Sequence, residues 1–60
     1  MKSHLIGKEV TITAKDSHLY GEWGIIRYYD GDYYYISPWG GEESMLFDRK
    51  EFKVKKNVTR

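Results

Sequence analysis

The segment from Val10 to Ile36, VTITAKDSHLYGEWGIIRYYDGDYYYI, sets an alternating apolar strand, a Gly-x-x-Gly turn and an aromatic hairpin in immediate succession. That order specifies a small β-barrel. From Glu9 to Ala14 polar and apolar residues alternate, with Val10 and Ile12 on one face and Thr11 and Thr13 on the other, the period-2 pattern of a half-buried strand. Lys15 to Tyr20 is polar and mixed and reads as a loop. Gly21 and Gly24 bracket the re-entry to the sheet, where backbone freedom is needed. A second strand is expected from Trp23 to Tyr29 and a third from Asp32 or Tyr33 to Ser37, joined through Asp30-Gly31, a strong hairpin signal.

Outward from this segment the remaining elements are short. Pro38-Trp39-Gly40-Gly41 ends the third strand, Ser44 to Phe47 forms a fourth, and Glu51 to Lys55 a fifth with Phe52 and Val54 facing inward. Asp48-Arg49-Lys50-Glu51 has the Asp-x-x-Glu spacing of a capped single turn of 3₁₀-helix before the last strand. Five strands and one 3₁₀ turn make an all-β, SH3-like barrel. It is a single domain over residues 1 to 60, with a core between about residues 5 and 55 and an end, 56 to 60, that is expected to fray.

Sixty residues allow one thin core, and the chain has no cysteine to staple it. Its ten aromatic residues, at about 150–250 Å² each, are the largest source of burial available, so most of them must be structural. Leu5, Ile6, Val10, Ile12, Ile25, Ile26, Ile36, Met45, Leu46 and Val54 are expected to supply the rest of the apolar interior. The lack of cysteine fits a reducing cytoplasm. No stretch approaches the roughly 20 apolar residues of a membrane helix, and the first residues lack the apolar run of a signal peptide. The expectation is a soluble cytoplasmic protein with no membrane partner.

The net charge of +1 conceals a division along the chain. Residues 1–15 carry three lysines against one glutamate, +2; residues 16–48 carry Arg27 against seven carboxylates, −6; residues 49–60 carry six cations against Glu51, +5. Such a chain has a basic side and an acidic side once its ends meet. A charged last strand also discourages edge-to-edge aggregation.

The hairpin register decides which tyrosines are free. A two-residue Asp30-Gly31 turn pairs Ile26 with Tyr35 and splits the isoleucines between faces. A three-residue loop, Asp30 to Asp32, pairs Ile26 with Ile36 and Tyr28 with Tyr34, gathering the apolar residues. The second is preferred here, and it leaves Arg27, Tyr29, Tyr33 and Tyr35 on the opposite face.

The apolar first strand, the loop, Gly21-Glu22-Trp23-Gly24-Ile25-Ile26, the hairpin and the closing Phe47-Asp48-Arg49-Lys50-Glu51-Phe52 resemble the KOW-type SH3-like modules of ribosomal and transcription-elongation proteins. The likeness covers roughly residues 5 to 55. It implies that Gly24 is the tightly packed motif glycine, that Val10, Ile12 and Ile26 are core, and that Lys15 to Tyr20 is the loop that touches RNA or a protein partner. The family's loops are basic around the glycines, whereas here Glu22 and Trp23 stand between them and Lys15 is the only fixed positive charge of the loop. The short chain also looks like accessory proteins of phages or mobile elements.

Two binding functions follow. A protein or nucleoprotein partner, or a second copy of the chain, would dock on Lys15, His18, Tyr20, Trp23, Arg27, Tyr29, Tyr33, Tyr35 and Trp39, since tyrosine, tryptophan and arginine are the residues enriched at hot spots. Acidic Asp16, Glu22, Glu42 and Glu43 beside these aromatics suit a basic or proline-containing partner. Single-stranded RNA or DNA would stack its bases on the same aromatics and lay its phosphates along Lys50, Lys53, Lys55 and Lys56. Against both stands the bland alternative that Trp23 and Trp39 fill the barrel and that cross-strand tyrosine pairs merely stabilise the sheet.

Catalysis is not expected. His4 lies near the terminus, and His18 with Asp16 two residues away is a weak acid–base or metal pair. Glu42-Glu43 are neighbours whose side chains diverge, and the Gly-x-x-Gly turn lacks the lysine and helix of a phosphate-binding loop. No cofactor or metal is expected, there being no Cys/His cluster.

Overall fold

The computed structural model describes residues 4–55. Its elements are β1 (Glu9–Ile12), β2 (Trp23–Tyr29), β3 (Tyr34–Pro38), β4 (Met45–Phe47), a 3₁₀ turn (Arg49–Glu51) and β5 (Phe52–Val54). All pairings are antiparallel, in one sheet of order β4-β3-β2-β1-β5. The fold class and the order of strands are those read from the sequence; Lys56 and the expected fraying of residues 56–60 lie outside the described residues.

The expected barrel is an open sheet, with β4 and β5 as its two edges. It nevertheless curls over its own core. In a flat sheet β3 and β5, separated by β2 and β1, would stand about 14 Å apart. Yet the Tyr34 ring of β3 meets the Phe52 ring of β5 edge-on, centroids 5.2 Å apart. A sheet with no helix to cover it must bury its apolar face against itself, and these two rings mark where it does. Val10, Ile12, Ile26, Ile36, Phe47 and Phe52 fill the concavity with Tyr34.

The Gly21–Gly24 pair serves two separate needs. Gly21 has φ 85°, a left-handed backbone that favours glycine, and its N–H donates to the Ile12 carbonyl where the loop rejoins β1. Gly24 is extended and buried, opposite Val10 and Pro38 in the ladder, and a Cβ built on it would stand 2.6 Å from Ile36 Cγ2 and 2.8 Å from the Ser37 carbonyl oxygen. The tight packing implied by the family likeness is therefore found at Gly24.

Between those strands the β1–β2 loop is more than a polar connector. Its backbone folds in successive turns, Ser17 N–H to the Ala14 carbonyl, Tyr20 N–H to Ser17 and Glu22 N–H to Leu19. They drive Leu19, omitted from the expected interior, into the core at 4% exposure. The expected core residues Ile6, Met45 and Leu46 are exposed instead. Leu46 sits opposite Tyr35 in the register and so points away from the interior, which Phe47 reaches; Met45 shares Phe47's face, opposite Ile36, but stands exposed at the start of this three-residue edge strand.

After β4 the Asp-x-x-Glu signal forms as read: the Glu51 carboxylate accepts the Asp48 N–H at 2.8 Å, and the Glu51 N–H reaches back to the Asp48 carbonyl. The turn aims Phe52 inward and places the Arg49 guanidinium 5.1 Å from its ring centroid.

Candidate functional site

The hairpin differs from the expected register in one residue, with large consequences. Ile26 pairs with Ile36 as anticipated, but a β-bulge follows, so that Tyr28 pairs with Tyr35 and Tyr29 with Tyr34. Arg27 is the extra residue. Its cause is at the hairpin tip, where the loop has four residues, Asp30 to Tyr33, closed by the Asp30 N–H on the Tyr33 carbonyl. Asp30 Oδ1 accepts the N–H groups of both Asp32 and Tyr33 at 2.8 Å. This side-chain cap favours the longer loop, and the bulge absorbs the added residue.

Because side chains alternate along a strand, the bulge exchanges the tyrosines beyond it. Tyr29, expected on the binding face, turns inward and stacks on buried Tyr34, centroids 4.3 Å apart. Tyr28, expected inside, stands outside at 56% exposure and meets Tyr35 edge-on at 5.3 Å. Leu46 continues the row across β4 at 54% exposure. Tyr28, Tyr35 and Leu46 thus form one apolar strip on the outer face of β2-β3-β4.

Arg27 anchors the neighbouring ground. Its Nε donates to Ser37 Oγ at 3.0 Å, satisfying the one buried polar side chain among the described residues, and its Nη2 donates to the Gly40 carbonyl at 3.3 Å. The turn after β3 is thereby held over the outer face, where Gly40 approaches Ile25 and the Trp23 ring. Trp23 is half-exposed on this face, and its carbonyl accepts the Trp39 N–H at 2.8 Å. Trp39 itself has φ 57°, a left-handed conformation that costs a bulky residue on the order of 1–2 kcal/mol. Its indole projects outward, and Nε1 donates to Glu22 Oε1 at 3.0 Å.

Tyr33 lies in the hairpin loop, exposed, beside the strip rather than in it. Lys15, His18 and Tyr20 are exposed on the β1–β2 loop, away from the Tyr28 row. Lys50, Lys53 and Lys55 are exposed on the 3₁₀ turn and β5, at the edge of the sheet opposite β4. Lys55 pairs with Glu9 at 3.3 Å. In the strand order three steps separate this lysine edge from β3, which carries Tyr35, and four from β4, which carries Leu46.

Two titratable groups in the hairpin are displaced from their ordinary behaviour. Hydrogen bonds from the Tyr33 and Asp32 N–H groups hold the Asp30 carboxyl below the usual carboxylate range. Desolvation, and then its hydrogen bond to Asp30 Oδ2 at 3.2 Å, pushes the Tyr35 phenol up. A carboxylate lowered by folding adds stability that is present above about pH 4, its value in an unfolded chain, and is lost as pH falls through the folded value. Acid unfolding monitored by tyrosine fluorescence should show this loss below pH 4, and Asp30→Asn, which keeps an oxygen acceptor but no charge, should flatten it. An unchanged acid limb in the variant would show that Asp30 does not hold the loop.

Among the described residues no group of three His, Cys, Asp or Glu side chains could hold a metal ion, and no helix is long and apolar enough to cross a membrane. The five antiparallel strands and 3₁₀ turn are consistent with an SH3-like β-fold. Compared with known proteins, the chain matches no family model, no curated protein and no solved structure.

Proposed function

We propose that this protein is a non-enzymatic binding module that docks a protein partner on the outer face of its β2-β3-β4 hairpin region. The observation that carries the reading is the outer-face row Tyr28, Tyr35 and Leu46, exposed at Tyr28 and Leu46 and half-buried at Tyr35, which lies outside the core and is bordered by Arg27. Rigid aromatic side chains offer large contact area at little conformational entropy, and an apolar strip rimmed by polar groups is the form of a hot spot. The −6 charge of residues 16–48, within which this row lies, favours a basic partner. The likeness to KOW-type modules agrees with a macromolecular partner, and a cytoplasmic setting with the lack of cysteine.

Capture from lysate by immobilised wild-type protein should survive nuclease treatment and should be lost with Tyr28→Ser/Leu46→Ser. Both residues are exposed, so that variant should keep its circular dichroism spectrum and unfold within about 0.5–1 kcal/mol of wild type. Equal capture by the two proteins would sink the reading.

A second reading, single-stranded nucleic acid, rests on one row of the sheet. Lys53, Thr11 and Trp23 stand side by side across β5, β1 and β2, so that the backbones carrying a cation and an indole are two strand spacings, about 10 Å, apart. It requires binding of a mixed oligonucleotide that strengthens steeply as salt is lowered.

A further inference from the structure

Beside the strip, the turn after β3 encloses a notch of about 220 Å³ lined by Pro38, Trp39, Gly41, Glu42 and Glu43. We infer that this notch is a subsite for a cationic side chain, the arginine or lysine of a basic, extended peptide segment. The inference rests on the protein-binding reading above and names the chemistry of the partner at this end of the surface.

Three features lead there. The first is the wall: Trp39 is 54% exposed, its backbone N–H donates to the Trp23 carbonyl, and its ring is tied to Glu22 through Nε1. An indole is the best aromatic platform for a cation, and Trp39 lines the notch together with Pro38. The second is charge. Glu42 and Glu43 line the same notch, and the one ion pair among the described residues, Lys55–Glu9, lies elsewhere. Arg27, the only cation of residues 16–48, makes its hydrogen bonds to Ser37 and the Gly40 carbonyl and no ion pair with either carboxylate, and its single positive charge is outnumbered by the two there. The third is dimension. The notch is open and of side-chain size, too small for a cofactor and matched to a guanidinium or ammonium group and its methylene stem, whose apolar length would lie on Pro38 and the indole. A neutral aliphatic side chain would gain the apolar contact only. An anionic ligand would face two carboxylates.

The test uses three acetylated, amidated pentapeptides, Gly-Ser-X-Ser-Gly, with X arginine, lysine or norleucine. Each is titrated into the full chain while the Trp39 indole N–H resonance is followed. Arginine and lysine peptides should shift that resonance saturably, with dissociation constants on the order of 1 mM, and the norleucine peptide should not. Glu42→Gln/Glu43→Gln, a surface change that carries no folding risk, should weaken the arginine peptide about fivefold or more, as should Trp39→Ala, followed in that variant through the backbone N–H resonances of Gly41 and Glu42, which line the same notch. Tyr28→Ser/Leu46→Ser should leave the peptide titration unchanged, so that failure of the strip and failure of the notch are read separately. Equal binding of the norleucine peptide, or indifference to the Glu42/Glu43 change, overturns the inference. So does a dimer in sedimentation that Trp39→Ala dissolves, since the occupant would then be a second copy of this chain.

Discussion

Gly24→Ala is expected to destabilise the domain by about 3 kcal/mol, the upper end of what overpacking costs. The added methyl would sit 2.6 Å from Ile36 Cγ2 and 2.8 Å from the Ser37 carbonyl oxygen. Neither neighbour can yield cheaply. Ile36 is a β-branched core residue with restricted rotamers, and Ser37 is backbone paired with Ile25 in the β2–β3 ladder. Either β3 moves away from β2 or the core around Ile36 reopens. A chain of this length has roughly 3–9 kcal/mol of stability in all, so the variant should be largely unfolded or should melt roughly 12–24 °C lower. Thermal and urea unfolding followed by circular dichroism measure this directly. A loss below 1 kcal/mol would mean that Gly24 is not wedged between strands. Alanine at Gly41, whose Cβ would meet only the Pro38 carbonyl oxygen, at 3.4 Å, should be tolerated far better.

Phe52→Ala should cost about 3–5 kcal/mol, the range for deleting a buried phenylalanine ring. Phe52 is 2% exposed and is the side chain through which β5 meets β3 across the interior. Removing it takes away the edge-on contact with Tyr34 and the surface beneath the Arg49 guanidinium. More consequential is the sheet's shape, since a curl held by contacts between non-adjacent strands has few substitutes in a 60-residue core. The expected result is loss of the cooperative unfolding transition at 25 °C. Phe52→Leu should recover about half the loss, because it refills volume without the ring. If Phe52→Ala unfolded at the same urea concentration as wild type, the sheet would be held curled by something other than this contact.

Much of this architecture was legible in the sequence. Alternation from Glu9 to Ala14, the β-rich runs on either side of Asp30-Gly31, and the Asp48–Glu51 spacing are local patterns, and they locate β1, which ends at Ile12, the hairpin and the 3₁₀ turn. Less legible was the candidate site. Alternation alone turns Tyr28 inward and Tyr29 outward, because a bulge at Arg27 leaves no mark in a run as uniform as RYY-DGD-YYY. The available signal was Asp30, whose side chain can accept the N–H groups two and three residues on and so favours the longer loop. Hydrophobicity alone places Leu46 in the core, and polar neighbours hide Leu19 within what reads as a loop. Both depend on what stands across from them, Tyr35 for one and the core beneath the β1–β2 loop for the other.

The sequence by itself determined the number of strands, their order along the chain and the places where it turns, since period-2 patterning and turn chemistry act over a few residues. Tertiary structure alone decided how the sheet closes on itself, which tyrosines it buries, and that Tyr28, Tyr35, Leu46 and Trp39 face solvent. The reason is geometric. One inserted residue exchanges the two faces of a strand, and whether it is inserted is settled by pairing with a strand elsewhere in the chain and not by the residues beside it.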